Sequence, residues 1–176
     1  MRILGIDPGF GRMGYGIIEK KRGDFVYVAH GCLETSPRQP LPKRLREIAE
    51  GLARLIKQYQ PSLAAVEEVF FYKNAKTAIA VAEARGAILL TLVQNGLAVH
   101  EYTPLQVKQA ITGYGRAEKR QIQTMLPLLL HMEKQKIQDD AADALAIALT
   151  CGAMVRPLPY PPPSSTSGQA LRGEGR

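Results

Sequence analysis

Residues 2–33 read RILGIDPGFGRMGYGIIEKKRGDFVYVAHGCL. Three strand-like runs stand in this stretch: Arg2 to Asp7, Gly14 to Lys20 and Phe25 to Leu33. Between them lie Pro8, Gly9, Gly11 and Gly23, residues that suit turns. The gaps are far too short for parallel crossovers, so the opening of the chain predicts an antiparallel meander.

Beyond the meander the hydrophobic period changes. Leu41, Leu45, Ile48, Leu52, Leu55, Ile56 and Tyr59 form a helical stripe that Pro61 ends. Leu63 to Val69 then reads as a fourth strand, Ala75 to Val93 as a second helix and Leu97 to Tyr102 as a fifth strand. Thr103-Pro104 marks the next helix start, with threonine as N-cap and proline at the first helical position. A further helix is expected over Ala117 to His131, kinked or stopped early by Pro127. The last helix covers Asp140 to Met154. The order βββαβαβααα predicts an α/β domain, a mixed five-stranded sheet flanked by helices.

From Arg156 the chain reads RPLPYPPPSSTSGQALRGEGR, which holds five of the 12 prolines and no periodic apolar face. Such a segment cannot repay the entropy of ordering. The expected organisation is one domain over residues 1–155 and a flexible Pro/Ser/Gly-rich tail over 156–176. The chain has 23 Lys+Arg against 16 Asp+Glu, a net charge of +7, and all but two units of that excess remain when the tail is set aside. The basic bias therefore belongs to the domain and favours an anionic partner such as nucleic acid or an acidic membrane surface. A hydrophobic content of 45% with 22% charged residues excludes a collagen or a coiled coil. Cys32 and Cys151 are too few and too far apart for a disulfide scaffold or a zinc site. Asp7 interrupts the apolar N-terminal run too early for a signal peptide, and Ala141 to Val155 is too short to span a bilayer. The expectation is a cytoplasmic protein with no membrane association.

Against this basic background, acids gather at the ends of apolar elements. Asp7 closes the first strand, and Glu67 lies inside the AAVEEV run of the fourth, on the face of Leu63 and Ala65 and opposite to Glu68. Asp140 and Asp143, three apart, share one face of the last helix. Each has an ordinary alternative. Aspartate before Pro-Gly is a common turn residue, and Asp139 and Asp140 suit a helix N-terminus. Asp143, among Ala, Leu and Ile, and Glu67, in a central-type strand, are harder to explain that way. Unpaired, the four would repel one another, and a hard divalent cation such as Mg²⁺ or Mn²⁺ would remove the conflict.

Basic candidates form two groups: Lys73, Lys76 and Arg85, and then Lys108, Arg116, Lys119 and Arg120 around Gly113-Tyr114-Gly115. Solvated lysines on helix surfaces are the alternative for any one of them. Phe70 is either an ordinary core aromatic or an exposed residue that stacks on an unpaired base. The second helix, rich in alanine with Gly86 midway, suits either close packing across a dimer interface or burial within the chain.

The motifs Ile6-Asp7-Pro8-Gly9, Gly14-Tyr15-Gly16 and Ala65-Val66-Glu67-Glu68-Val69-Phe70 resemble those of the RuvC family, the bacterial Holliday-junction resolvases. Lys73-Asn74-Ala75, Ala84-Arg85-Gly86, Gln106-Val107-Lys108-Gln109, Ala117-Glu118-Lys119 and Asp140-Ala141-Ala142-Asp143-Ala144-Leu145-Ala146 extend the resemblance collinearly over roughly residues 2 to 151. It implies an RNase H-like fold, a homodimer and paired, symmetric nicking of four-way junction DNA during recombination and repair. By position, Asp7, Glu67, Asp140 and Asp143 would be the catalytic, metal-holding carboxylates. They would hold two Mg²⁺ per site, with Mn²⁺ able to substitute. Lys108 and Lys119 match basic positions that support phosphate binding, and Phe70 matches an aromatic at the strand-exchange point. Lys73, Lys76, Arg116 and Arg120 are further DNA-binding candidates. Two metals roughly 4 Å apart would activate water and stabilise the leaving 3′-oxygen. The nicks would then be ligatable. Association with the branch-migration proteins RuvA and RuvB is implied as well.

Three other readings compete. A sugar-kinase or actin-like ATP-binding enzyme needs two lobes, and 176 residues supply one. A non-catalytic DNA-binding module has no use for four converging carboxylates. An RNA–DNA hybrid hydrolase would share the acids but not the RuvC-type motifs.

Overall fold

The computed structural model describes residues 1–68, 75–133 and 135–155, with only the backbone given for 75–77. Three strands, β1 (Arg2–Asp7), β2 (Arg12–Lys21) and β3 (Asp24–Glu34), form the antiparallel meander read from the opening stretch. The helix α1 (Leu41–Tyr59) leads to β4 (Leu63–Glu67), and α2 (Ala75–Gln94) leads to β5 (Ala98–Tyr102). Both crossovers return their strands parallel to β1. The sheet order is β3-β2-β1-β4-β5. Three helices close the chain: α3 (Pro104–Thr112), α4 (Lys119–Leu129) and α5 (Asp139–Met154).

Alternation along the strands distributes two cores. Leu4, Ile6, Ala64 and Val66 face Ile48, Leu52 and Ile56 of α1 and Ile88 and Leu92 of α2. Ile3, Leu63 and Ala65 face the other way, onto α3, α4 and α5. The domain is thus a three-layer sandwich, with α1 and α2 on one side of the sheet and α5 laid along the other. Asp7 and Glu67 continue the register of Gly5 and Ala65, so both carboxylates end their strands on the α5 side.

Helix α5 can lie directly on the sheet because of the Gly14-Tyr15-Gly16 motif. A Cβ on Gly14 would collide with the Asp140 carbonyl oxygen, and one on Gly16 would come within 2.6 Å of the Leu145 backbone nitrogen. Any side chain at either position would lift the helix and carry its acids away from Asp7.

The helix starts follow their chemistry. Thr103 caps α3 reciprocally with Gln106: its Oγ1 accepts from the Gln106 N–H at 3.2 Å, and its own N–H donates to Gln106 Oε1 at 2.8 Å. The Glu118 N–H likewise donates to Gln121 Oε1 at 2.9 Å ahead of α4. This start, at Lys119, falls two residues later than the apolar pattern suggested. Pro127 sits inside α4, which runs only two residues further before Leu130 caps it. His131 then takes a left-handed conformation, with φ 51°. The fourth strand ends at Glu67, where the Glu68 N–H completes the pairing with β5 by donating to the Tyr102 carbonyl at 2.8 Å. Phe70, Lys73 and the expected tail over 156–176 lie outside the described residues, and the side chain of Lys76 does also.

Candidate active site

Parallel pairing of β1 and β4 sets Asp7 and Glu67 side by side, one step beyond the Ile6–Val66 pair. Asp140 and Asp143 reach the same place from the first two turns of α5. Four carboxylates from three separated segments are therefore brought together. Their mutual influence appears in Asp7, whose pKa is raised to about 8 by burial and then by Glu67, Asp143 and Asp140. Burial and Asp143 also push Glu67 upward, partly offset by a side-chain hydrogen bond with Asp7 and by Lys119. Asp7 and Glu67 are thus neighbours that are both pushed above the ordinary carboxylate range.

The two acids of α5 are treated differently. The Asp140 Oδ2 accepts from Arg12 Nη1 at 3.2 Å, while Arg12 Nε donates to Glu34 Oε1 at 3.0 Å. The Asp143 Oδ2 accepts from Lys119 Nζ at 2.7 Å. Both aspartates keep 32% of their side-chain surface exposed, enough to meet an incoming ligand. Asp139, 70% exposed, turns away from Asp7 and accepts from Gln123 Nε2 at 3.0 Å.

Behind Asp7 the turn is tied down. Thr35 Oγ1 donates to the Phe10 carbonyl at 2.7 Å and its N–H to the Gly11 carbonyl at 3.0 Å. Arg44 Nε donates to that same Thr35 oxygen at 2.9 Å, and its guanidinium lies 4.7 Å from the centre of the Phe10 ring. A strand, a loop and a helix thus share the job of holding the Pro8–Gly11 turn.

A pocket of about 260 Å³ opens beside the acids, lined in part by Glu67, Asp143, Lys108 and Lys119. Lys108 is half-buried and makes no ion pair among the described residues. A larger hollow of about 460 Å³ on the far side of the α4 N-terminus holds Tyr114 and Arg120 but none of the four acids. The polar chemistry is in the smaller pocket. Arg116 is exposed on the α3–α4 connection. Arg85, by contrast, is committed within the fold: its Nη2 lies 2.7 Å from Glu101 Oε1 and ties α2 to β5.

Carboxylate oxygens alone suit a hard divalent cation, and besides burial, the largest cause, Glu67, Asp143 and Asp140 each push Asp7 upward. Among the described residues, no group of three or more acidic, histidine or cysteine side chains is arranged to enclose an ion as it stands. Arg12 and Lys119 instead hold Asp140 and Asp143. The donor set fits a divalent metal, and two side-chain cations share its carboxylates.

Sequence reasoning missed Arg12 and Glu34. Arg12 reads as part of a turn because β2 was expected to begin at Gly14. The strand in fact starts at Arg12, whose cross-strand partner is Glu34. Nothing in the local pattern points from Arg12 to Asp140, 128 residues away.

Comparison with known proteins agrees over nearly the whole domain. The family model described as "Crossover junction endodeoxyribonuclease RuvC" matches residues 3–151. The crossover junction endodeoxyribonuclease RuvC of Petrotoga mobilis is 56% identical over 152 residues, covering 86% of this chain and 93% of that protein. The structure of Thermus thermophilus RuvC superposes with a TM-score of 0.79 at 34% identity, covering 87% of this chain and 94% of that one. The same organism's RuvC in complex with Holliday junction substrate gives 0.80 at 35% identity, covering 85% and 92%.

Proposed function

The chain belongs to the RuvC family of crossover junction endodeoxyribonucleases, and from that premise we propose that it resolves Holliday junctions by paired nicking during homologous recombination and DNA repair. The observation that carries the assignment of its chemistry is the meeting of Asp7, Glu67, Asp140 and Asp143, with Asp7 raised to about 8 by burial and then by the other three. RuvC enzymes are metal-dependent nucleases. Here the four carboxylates would hold two Mg²⁺, or Mn²⁺ in their place. When bound, the metals would supply an activated water and charge stabilisation for the departing 3′-oxygen.

The protein's own groups do the rest. Asp7 is set on a sheet strand and backed by the tied turn. Its proton must leave for it to ligate. Lys119 orients Asp143 and, with Lys108, brings positive charge to the mouth of the pocket, where a scissile phosphate would sit. Arg116 and Arg120 extend that charge along a flanking arm. Phe70 keeps the role the family resemblance implies, base stacking at the crossover, and Lys73 and Lys76 remain candidates for phosphate contact by their charge.

Two strands must be cut symmetrically, so two sites are needed, and a twofold dimer matches the junction's symmetry. Helix α2 supplies a face for it. Ile79, Leu90 and Val93 are 65%, 59% and 63% exposed, and a Cβ on Gly86 would meet nothing within 4 Å. No helix among the described residues is long and apolar enough to cross a membrane. A cytoplasmic location beside DNA, and cooperation with RuvA and RuvB, complete the reading.

The test is a synthetic four-way junction with Mg²⁺ on a denaturing gel, comparing the wild type with Asp7→Asn beside linear duplex and an RNA–DNA hybrid. Opposed nicks that vanish in the variant while junction binding persists support the proposal. Binding without cutting in the wild type overturns it in favour of an architectural module. Cleavage of the hybrid alone keeps the site and replaces the substrate.

A further inference from the structure

Arg12 stands between two carboxylates that belong to different parts of the fold. Its backbone pairs with Glu34 across β2 and β3, and its Nε holds Glu34 Oε1 at 3.0 Å. Its Nη1 reaches Asp140 Oδ2 at 3.2 Å. The guanidinium is 49% exposed and Glu34 is 57% exposed, so neither is locked by packing. One oxygen of Asp140 is therefore already engaged by a cation of the protein's own.

Resting on the reading of Asp140 as a metal-holding residue, we propose that Arg12 is a positioning residue that acts as a resident counter-ion of Asp140, and that Glu34 is the alternative partner that draws Arg12 off when a divalent cation binds. Arg12 and the metal compete in two ways. They share Asp140 Oδ2 as partner, and the guanidinium's charge repels a divalent ion entering the pocket. Glu34 works in the opposite sense, because a guanidinium fully paired with Glu34 gives up Asp140. The arrangement holds the Asp140 carboxylate against Arg12 before metal arrives, and sets how much metal the site requires.

The two residues make opposite predictions, which a purely structural role would not. Exposed ion pairs are weak, so each change moves the metal affinity by only about two- to fivefold. Arg12→Gln tightens binding of Mn²⁺ to the DNA-free protein, and Glu34→Gln weakens it, because Arg12 then pairs with Asp140 alone. Arg12→Lys, which keeps the charge but not the fork of donors, falls between wild type and Arg12→Gln.

Mn²⁺ titrations of the full chain without DNA, followed by calorimetry and by the paramagnetic resonance signal of free Mn²⁺, read this directly. Far-UV circular dichroism checks that each variant is folded. Tighter binding by Arg12→Gln together with weaker binding by Glu34→Gln establishes the proposal. Any other pattern, unchanged affinity or same-sign or reversed shifts, overturns it. Asp140→Asn separates the two levels of the argument. If it leaves Mn²⁺ binding unaltered, the metal-site reading itself fails. If it weakens binding while the Arg12 and Glu34 variants do not respond as described, only the counter-ion role fails.

Discussion

Gly14 lies directly beneath the backbone carbonyl of Asp140, so closely that a Cβ on the glycine would overlap the oxygen. The strand and the acid-bearing helix touch at the residue that matters, and the position of Asp140 is set by the absence of a side chain 126 positions earlier. Gly14→Ala must push the start of α5 off the sheet. Overpacking of this kind costs about 1–3 kcal/mol. The expected outcome is a lowered Tm and a loss of junction cutting out of proportion to it, read by pairing a thermal melt with the gel assay at a temperature where the variant is folded.

Asp7 makes the stability of the metal-free protein depend on pH. A carboxyl whose folded pKa lies near 8, against 3.8 unfolded, binds its proton more tightly in the folded state. Its stabilising contribution is whole below about pH 4 and is lost as pH rises through about 8. In EDTA, the part of Tm that Asp7 controls should therefore fall from pH 5 to pH 8, and Asp7→Asn should flatten that fall. Saturating Mg²⁺ should restore stability at the alkaline end, because the carboxylate then has a counter-charge. A wild-type profile identical to that of Asp7→Asn would contradict the assigned electrostatics.

Lys108 faces the acid pocket without an ion pair among the described residues, so its charge is free for phosphate. Lys108→Ala should weaken junction binding and reduce the slope of log K against log[salt] by about 0.9 if the contact is to a duplex arm. Lys119 has Asp143 to orient as well, at 2.7 Å. Lys119→Met should therefore lower the single-turnover cleavage rate on bound junction, where Lys108→Ala mainly moves affinity. Filter binding across a salt series, beside single-turnover cleavage, distinguishes the two.

The exposed side chains Ile79, Leu90 and Val93 predict that α2 is covered in the working protein. Leu90→Glu should convert a dimer to monomers in light scattering while leaving the circular dichroism spectrum unchanged. Cleavage by the monomer should lose its symmetry, leaving junctions nicked in one strand. A wild type that is monomeric at every concentration tested would refute the dimer reading.

What the sequence determined by itself is the set of elements and the four acids that the fold brings together. Period-two and period-3.6 patterns are local, so the meander over residues 2–33, α1 at Leu41–Tyr59 and the Thr103-Pro104 helix start were legible without coordinates. So was the oddity of Asp7, Glu67, Asp140 and Asp143, because a carboxylate inside an apolar run is visible in the run itself. Boundaries were less legible where packing overrides pattern. The fourth strand stops at Glu67, short of the Val69 that the apolar run suggested.

Only the tertiary structure decided who meets whom. Arg12 reaches Asp140 and Lys119 reaches Asp143 because α4 and α5 fold back over one end of the sheet. Arg85, a plausible phosphate contact by charge, is spent on Glu101. The Gly14-Tyr15-Gly16 motif acquired its reason from the helix pressed against it. Each of these depends on contacts between residues distant along the chain, and no local period carries them. The upward push on Asp7 has the same origin, since burial and three carboxylates from other segments create it.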